Sequence, residues 1–132
     1  MGSIASRQNL ENDNSVIKLD AMVIGAGLAG LYQLHRLREM GLNVRGYDAA
    51  SGVGGTWYWN RYPGCRFDSQ AEIYQYWFSK ELYESWQPSE RFPAQEETER
   101  WLNFVADKLD LRKDITFNTR IKSAHFNEAT ER

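Results

Sequence analysis

The hexapeptide "GAGLAG" at residues 25–30 limits what this chain can fold into more than any other stretch. The apolar run before it, "AMVI", reads as the start of a buried strand at about residues 21–25. After it, Leu28, Leu31, Leu34 and Leu37 recur at helical spacing, with Tyr32, Gln33, Arg36 and Arg38 mostly on other faces. Gly41 offers a helix stop, and "LNVRGYD" predicts a second strand over 42–48. A strand, a helix and a strand joined by tight glycine turns make a βαβ unit, with parallel strands and a right-handed crossover. The expected class is therefore α/β: a Rossmann-like, three-layer fold with a parallel sheet. The chain would carry its N-terminal βαβ unit, a third strand and a long aromatic insert.

Each glycine of G-x-G-x-x-G has a separate task. Gly25 permits the tight turn, Gly27 lets a pyrophosphate approach the backbone, and Gly30 lets the helix pack close to the strand. The helix N-terminus adds free N–H groups and positive dipole. Alone, the pattern also fits a mere packing turn. Here a strand precedes it, a helix follows, and an acid ends the second strand. That acid, Asp48, is positioned to accept a hydrogen bond from a ribose 2′-hydroxyl, which favours FAD or NAD over a 2′-phosphorylated cofactor at this site.

Composition narrows the function further. A net charge of −2 and the absence of a Lys/Arg cluster speak against a nucleic-acid surface. No apolar run approaches the ~20 residues of a membrane span, and no secretory signal is visible. The single cysteine, Cys65, excludes an internal disulfide and a cysteine-based metal site. It reads as a small filler side chain in a cytoplasmic, reducing setting, and no metal is expected. Residues 1–19 are polar and read as an arm, leaving 20–132 as part of one domain.

From 49 to about 93 no period is clean, although short helical turns fit 70–86. Of the 18 aromatic residues in the chain, 11 fall between Trp57 and Trp86, so this surface must bury itself against a core, a planar ligand or another domain. Trp77, Phe78, Trp86 and Trp101 are expected in core or interdomain packing. Arg61 is expected to be solvated or ion-paired, and His35 and His125 to be surface or packing residues. Pro93 and the acids Glu96, Glu97 and Glu99 open a helix with Trp101, Leu102, Val105 and Leu109 on one face. "ITF" (115–117) reads as the third strand, and "IKSAHFNEATER" as the possible start of a hairpin.

Within the insert, "SGVGGTWYWNRYPGCRFD" closely resembles the Baeyer–Villiger monooxygenases, flavoproteins that turn ketones into esters or lactones. "RLREMGLNV" and "FVADKLDLRKDITFNTRI" extend the likeness over residues 20–132. The resemblance implies that reduced FAD reacts with O₂ to give a flavin peroxide that attacks the ketone carbonyl, with NADPH supplying hydride. It implies that Gly25, Gly27 and Gly30 hold the FAD pyrophosphate and Asp48 the ribose. Thr56, Trp57, Tyr58 and Trp59 would run along the flavin, Tyr74 would touch it, and the Ile121 backbone would meet the adenine end. Arg66 and Asp68 would lie by the nicotinamide cofactor, and Asp68 would act in catalysis by holding an active-site arginine. Gly54, Gly55 and Gly64 would let backbone come close to the cofactor.

The chain departs from the family at Phe67, where Arg-Cys-Asp is common, and at Gln70, where an acid is common. These changes bear on substrate range. The second G-x-G-x-x-G, the family's F-x-G-x-x-x-H-x-x-x-W signature and the active-site arginine are not in the sequence. The resemblance implies that they belong to a remainder of the polypeptide, which would also supply most of the NADPH and ketone sites. The 132 residues alone are expected to be inactive. Alternatives are a related N- or S-oxidising flavin monooxygenase, against which "GGTWYWNRYPG" argues, and a non-catalytic FAD-binding or interaction fragment.

Overall fold

A computed structural model describes residues 16–131. Most of the expected polar arm therefore lies outside the described residues. Three strands form one parallel sheet in the order β1-β2-β3: β1 (Ala21–Ile24), β2 (Val44–Tyr47) and β3 (Ile115–Thr116). β1 and β2 are shorter than expected because Gly25 and Asp48 already belong to the turns at the strand ends and Leu42 to the closure that ends the preceding helix. Helix α1 (Leu28–Glu39) makes the crossover from β1 to β2.

Helix α1 forms for the reasons its sequence suggests. Leu31 and Leu34 are buried, and Leu28 and Leu37 are partly so. Its end is a Schellman closure: Gly41 N–H donates to Arg38 O at 2.9 Å and Leu42 N–H to Leu37 O at 3.2 Å. Gly41 takes φ +79°, which favours glycine. The insert folds into short pieces: α2 (Thr56–Trp59), a 3₁₀ turn (Ala71–Tyr74) and α3 (Lys80–Ser85). Helix α4 (Gln95–Lys108) follows, with Glu96 and Glu97 in its first turn complementing the helix dipole. It packs on α1 and α2 and buries Trp101, Leu102, Val105 and Ala106. Leu102 and Val105 each contribute about 1.5–3 kcal/mol of burial. Arg38 fastens α1 to the end of α4 by donating to Leu109 O and, at 2.7 Å, to Asp110 O.

Helices cover one face of the sheet. On it, Val23, Val44, Gly46 and Ile115 are buried, and a Cβ added at Gly46 would stand 3.6 Å from Leu34. The opposite face carries Met22, Ile24, Arg45, Tyr47 and Thr116, and Ile24 is 61% exposed. The described residues therefore supply two layers of the expected three. Among the described residues, 118–127 form no strand and 122–131 are exposed. Trp86 and Trp101 are core residues, stacked at 5.1 Å, but Trp77 is 73% exposed and Phe78 lies at the surface over α1.

Candidate functional site

Two grooves meet at the carboxyl ends of β1 and β2, where open parallel sheets hold ligands. The larger, about 350 Å³, lies between the glycine turn and α2. The smaller, about 210 Å³, runs past Asp48 to Thr119, Arg120 and Ile121. Ile24 and Gly25 line both, so the two form one path.

One wall of the larger groove is backbone. Gly25 turns the chain at φ +102°. A Cβ on Gly30 would fall 2.0 Å from Gly25 O, so this glycine is required for helix-to-turn contact, as its place in the motif suggests. Gly27 serves a purpose beyond the expected one. A Cβ there would meet Gly55 Cα at 3.3 Å, and one on Gly55 would meet Gly27 Cα at 2.9 Å. Gly54 N–H donates to Ala26 O at 3.0 Å. The pair Gly54-Gly55 thus closes onto the first glycine turn backbone to backbone. Helix α1 starts at Gly27 with no side-chain cap and no acid in its first turn, and Leu28, Ala29 and Gly30 line the groove. An uncapped N-terminus facing a groove is a site for an anion such as a pyrophosphate.

The other wall is aromatic. Trp57 and Tyr74 line it together with Thr56. Burial pushes the Tyr74 phenol above its ordinary value; the Trp57 indole opposes this, and the nearby Asp68 carboxylate adds to it. Gln95, 3% exposed, supports this wall from α4: its Nε2 donates to Trp57 O and, at 2.8 Å, to Glu99 Oε2. Glu99 in turn pairs with Arg61 at 2.5 Å, so Arg61 is ion-paired as expected. No motif marks Gln95, and only the position of α4 reveals its part.

Asp48 is buried beside the smaller groove. Its Oδ2 accepts from Ala26 N–H at 2.6 Å and its Oδ1 from Ala50 N–H at 2.7 Å. The carboxylate therefore ties the glycine turn to the end of β2. Each oxygen keeps a further lone pair that a hydroxyl donor could use.

Ten of the expected residues line this path: Gly25, Gly27, Gly30, Asp48, Gly54, Gly55, Thr56, Trp57, Tyr74 and Ile121. Four expected side chains do not. Tyr58 meets Ser51 Oγ at 2.6 Å through its hydroxyl, and Trp59 is 60% exposed and packs edge-on against Tyr58. Arg66 pairs with Glu90 at 2.7 Å and donates to Phe92 O at 2.8 Å. Asp68 is exposed. The path's further lining at Leu28, Ala29, Thr119 and Arg120 carried no sequence signal. Cys65 is buried and free, and no cluster of metal-ligating side chains occurs among the described residues. No described helix is long and apolar enough to cross a membrane.

Comparison with known proteins agrees with this geometry. Residues 23–87 match the family described as NAD(P)-binding Rossmann-like domain. The chain is 67% identical over 118 residues to acetone monooxygenase (methyl acetate-forming) of Gordonia sp. (strain TY-5), covering 89% of this chain and 22% of that one. It is 49% identical over 126 residues to a Baeyer–Villiger monooxygenase of Pseudooceanicola batsensis, covering 92% and 23%. It is 51% identical over 117 residues to phenazine N-monooxygenase PhzNO1 of Lysobacter antibioticus, covering 88% and 22%. A solved steroid monooxygenase bound to NADP superposes with TM-score 0.81 at 53% identity, over 84% of this chain and 21% of that one. The chain thus spans about a fifth of the length of the relatives it matches.

Proposed function

We propose that this chain, a stretch of the Baeyer–Villiger monooxygenase family, forms the FAD-binding part of an NADPH- and O₂-dependent enzyme that inserts oxygen beside a ketone carbonyl. The observation that carries this reading is the continuous path from Ile121 past Asp48 and the uncapped start of α1 to Tyr74. Its residues fit the cofactor. The small groove suits an adenosine, with Asp48 accepting from the ribose. The free N–H groups of Leu28, Ala29 and Gly30 suit the pyrophosphate. Thr56, Trp57 and Tyr74 suit the flavin end, where flat rings give contact area and exclude water.

When bound, FAD supplies the redox chemistry and the activation of O₂. The chain's own residues bind and orient it. Tyr58 and Trp59 extend the aromatic surface beyond the groove. Asp68, with its carboxylate exposed, is available to hold an arginine contributed by the remainder of the polypeptide, and the exposed Arg66, paired with Glu90, would lie near NADPH. That remainder would also cover the open face of the sheet and bring most of the NADPH site and the ketone. The free thiol of Cys65 agrees with a reducing compartment such as the cytoplasm.

Titrating FAD with the 132-residue chain and following flavin fluorescence tests the binding reading. Saturable quenching is expected, and its absence at millimolar chain would overturn it. The chain alone should oxidise no ketone, and NADPH-dependent ester formation by these residues would contradict that. A second reading, oxygen transfer to a ring nitrogen, is favoured by the similarity to the phenazine N-monooxygenase. Product analysis of the whole polypeptide with a small ketone and with a phenazine separates the two.

A further inference from the structure

Phe67 is buried to 5% exposure and lines neither groove. Its ring lies flat on Tyr74, with centroids 4.2 Å apart and planes 9° from parallel. Trp57 meets both rings edge-on, at 5.4 Å from Phe67 and 5.9 Å from Tyr74. We propose that Phe67 is a positioning residue that fixes the ring plane of Tyr74 and thereby the shape of the groove's aromatic end. The proposal rests on the reading that this end receives the flavin ring of FAD.

The backbone on both sides of the stack is held. Arg66 forms an antiparallel bridge with Ala94, and Gln95 N–H donates to Cys65 O at 2.9 Å. The start of α4 therefore fixes where Phe67 stands. On the other side, Trp101 Nε1–H donates to Tyr74 O at 3.0 Å, so α4 also fixes the Tyr74 backbone. A held backbone still leaves a tyrosine its staggered side-chain wells. The flat stack with Phe67 and the edge of Trp57 select one of them. An aliphatic side chain of similar volume at 67 fills the space without offering a flat face. It would release the ring while keeping the core filled.

The test compares FAD with ADP, which shares the adenosine and pyrophosphate but lacks the flavin. In Phe67→Leu, FAD affinity should fall by about three- to tenfold, the range expected for one lost aromatic stack. ADP affinity should stay unchanged. Phe67→Tyr, which keeps the flat ring, should restore FAD binding. In the free protein, the Tyr74 ring protons should lose their upfield NMR shifts in Phe67→Leu and keep them in Phe67→Tyr. Equal weakening of FAD and ADP would make Phe67 a merely structural residue and overturn the proposal. So would unchanged Tyr74 shifts in Phe67→Leu. Failure of the FAD reading shows separately, as a wild-type chain that binds FAD no better than ADP; the Tyr74 shifts then still decide whether Phe67 holds the ring.

Discussion

Across the groove, Gly27 and Gly55 meet backbone to backbone, whereas Trp57, Phe67 and Tyr74 meet ring to ring. The first wall depends on the absence of atoms. A single added methyl at Gly30 or Gly55 falls within 3 Å of main chain, which has no side-chain freedom to move aside. The second wall depends on the presence of large side chains, each supported by others and all resting on α4. A wall of backbone is intolerant to addition; a wall of rings is intolerant to deletion. The two should fail differently, in stability and in which part of a ligand they release.

The largest effect is expected on the ring side. Trp101 is 3% exposed, stacks on Trp86 and donates to Tyr74 O. Trp101→Ala should cost about 3–5 kcal/mol in urea unfolding. A loss below about 1 kcal/mol would show that α4 does not support this wall. On the backbone side, Gly30→Ala should cost about 2–3 kcal/mol through overpacking. It should also abolish ADP binding, and retained ADP affinity would show that the turn yields where its geometry says it cannot.

Asp48 sharpens the contrast because it ties the backbone wall to the sheet by two hydrogen bonds. Asp48→Asn keeps one acceptor and should cost about 1–2 kcal/mol, read again from unfolding. It should weaken ADP and FAD alike, unlike a change at Phe67.

The smallest effect concerns His35, which joins α1 to the insert by stacking on Phe78 at 4.9 Å. Burial lowers its pKa below the ordinary 6.5, with Glu39 opposing and Arg38 and Arg36 reinforcing. Its Nδ1 is buried without a partner. The unfolded chain therefore takes up a proton first, so His35 lends full stability above pH 6.5 and loses it as pH falls from there. Thermal unfolding between pH 7.5 and 5 should show this slope, and His35→Leu should flatten it. An unchanged slope would assign it to other groups.

The backbone wall was largely legible in the sequence. G-x-G-x-x-G between an apolar run and a helical leucine pattern specifies the turn, the uncapped helix start and the place of Asp48, because each follows from spacing within one βαβ unit. The ring wall was legible only as composition. Eleven aromatics in thirty residues announce that rings must pack, but not which ones. Trp57 and Trp86 went inside and Trp59 and Trp77 stayed out, because α4, whose first residue Gln95 lies 38 positions beyond Trp57, covers the first pair. The stop of α4 was also hidden. Asp110 takes φ +50° there and makes the same closure that Gly41 makes for α1, yet without a glycine to mark it.

By itself, the sequence determined the parallel βαβ unit and the glycine turn, since local spacing and backbone conformational limits act over a few residues, and it carried the likeness to the Baeyer–Villiger monooxygenases. Only the tertiary structure decided that Gly27 faces Gly55, that Asp48 holds the turn with both oxygens, and that Phe67 stacks on Tyr74. Those are contacts between distant segments, set by how α4 and the insert fill space against α1.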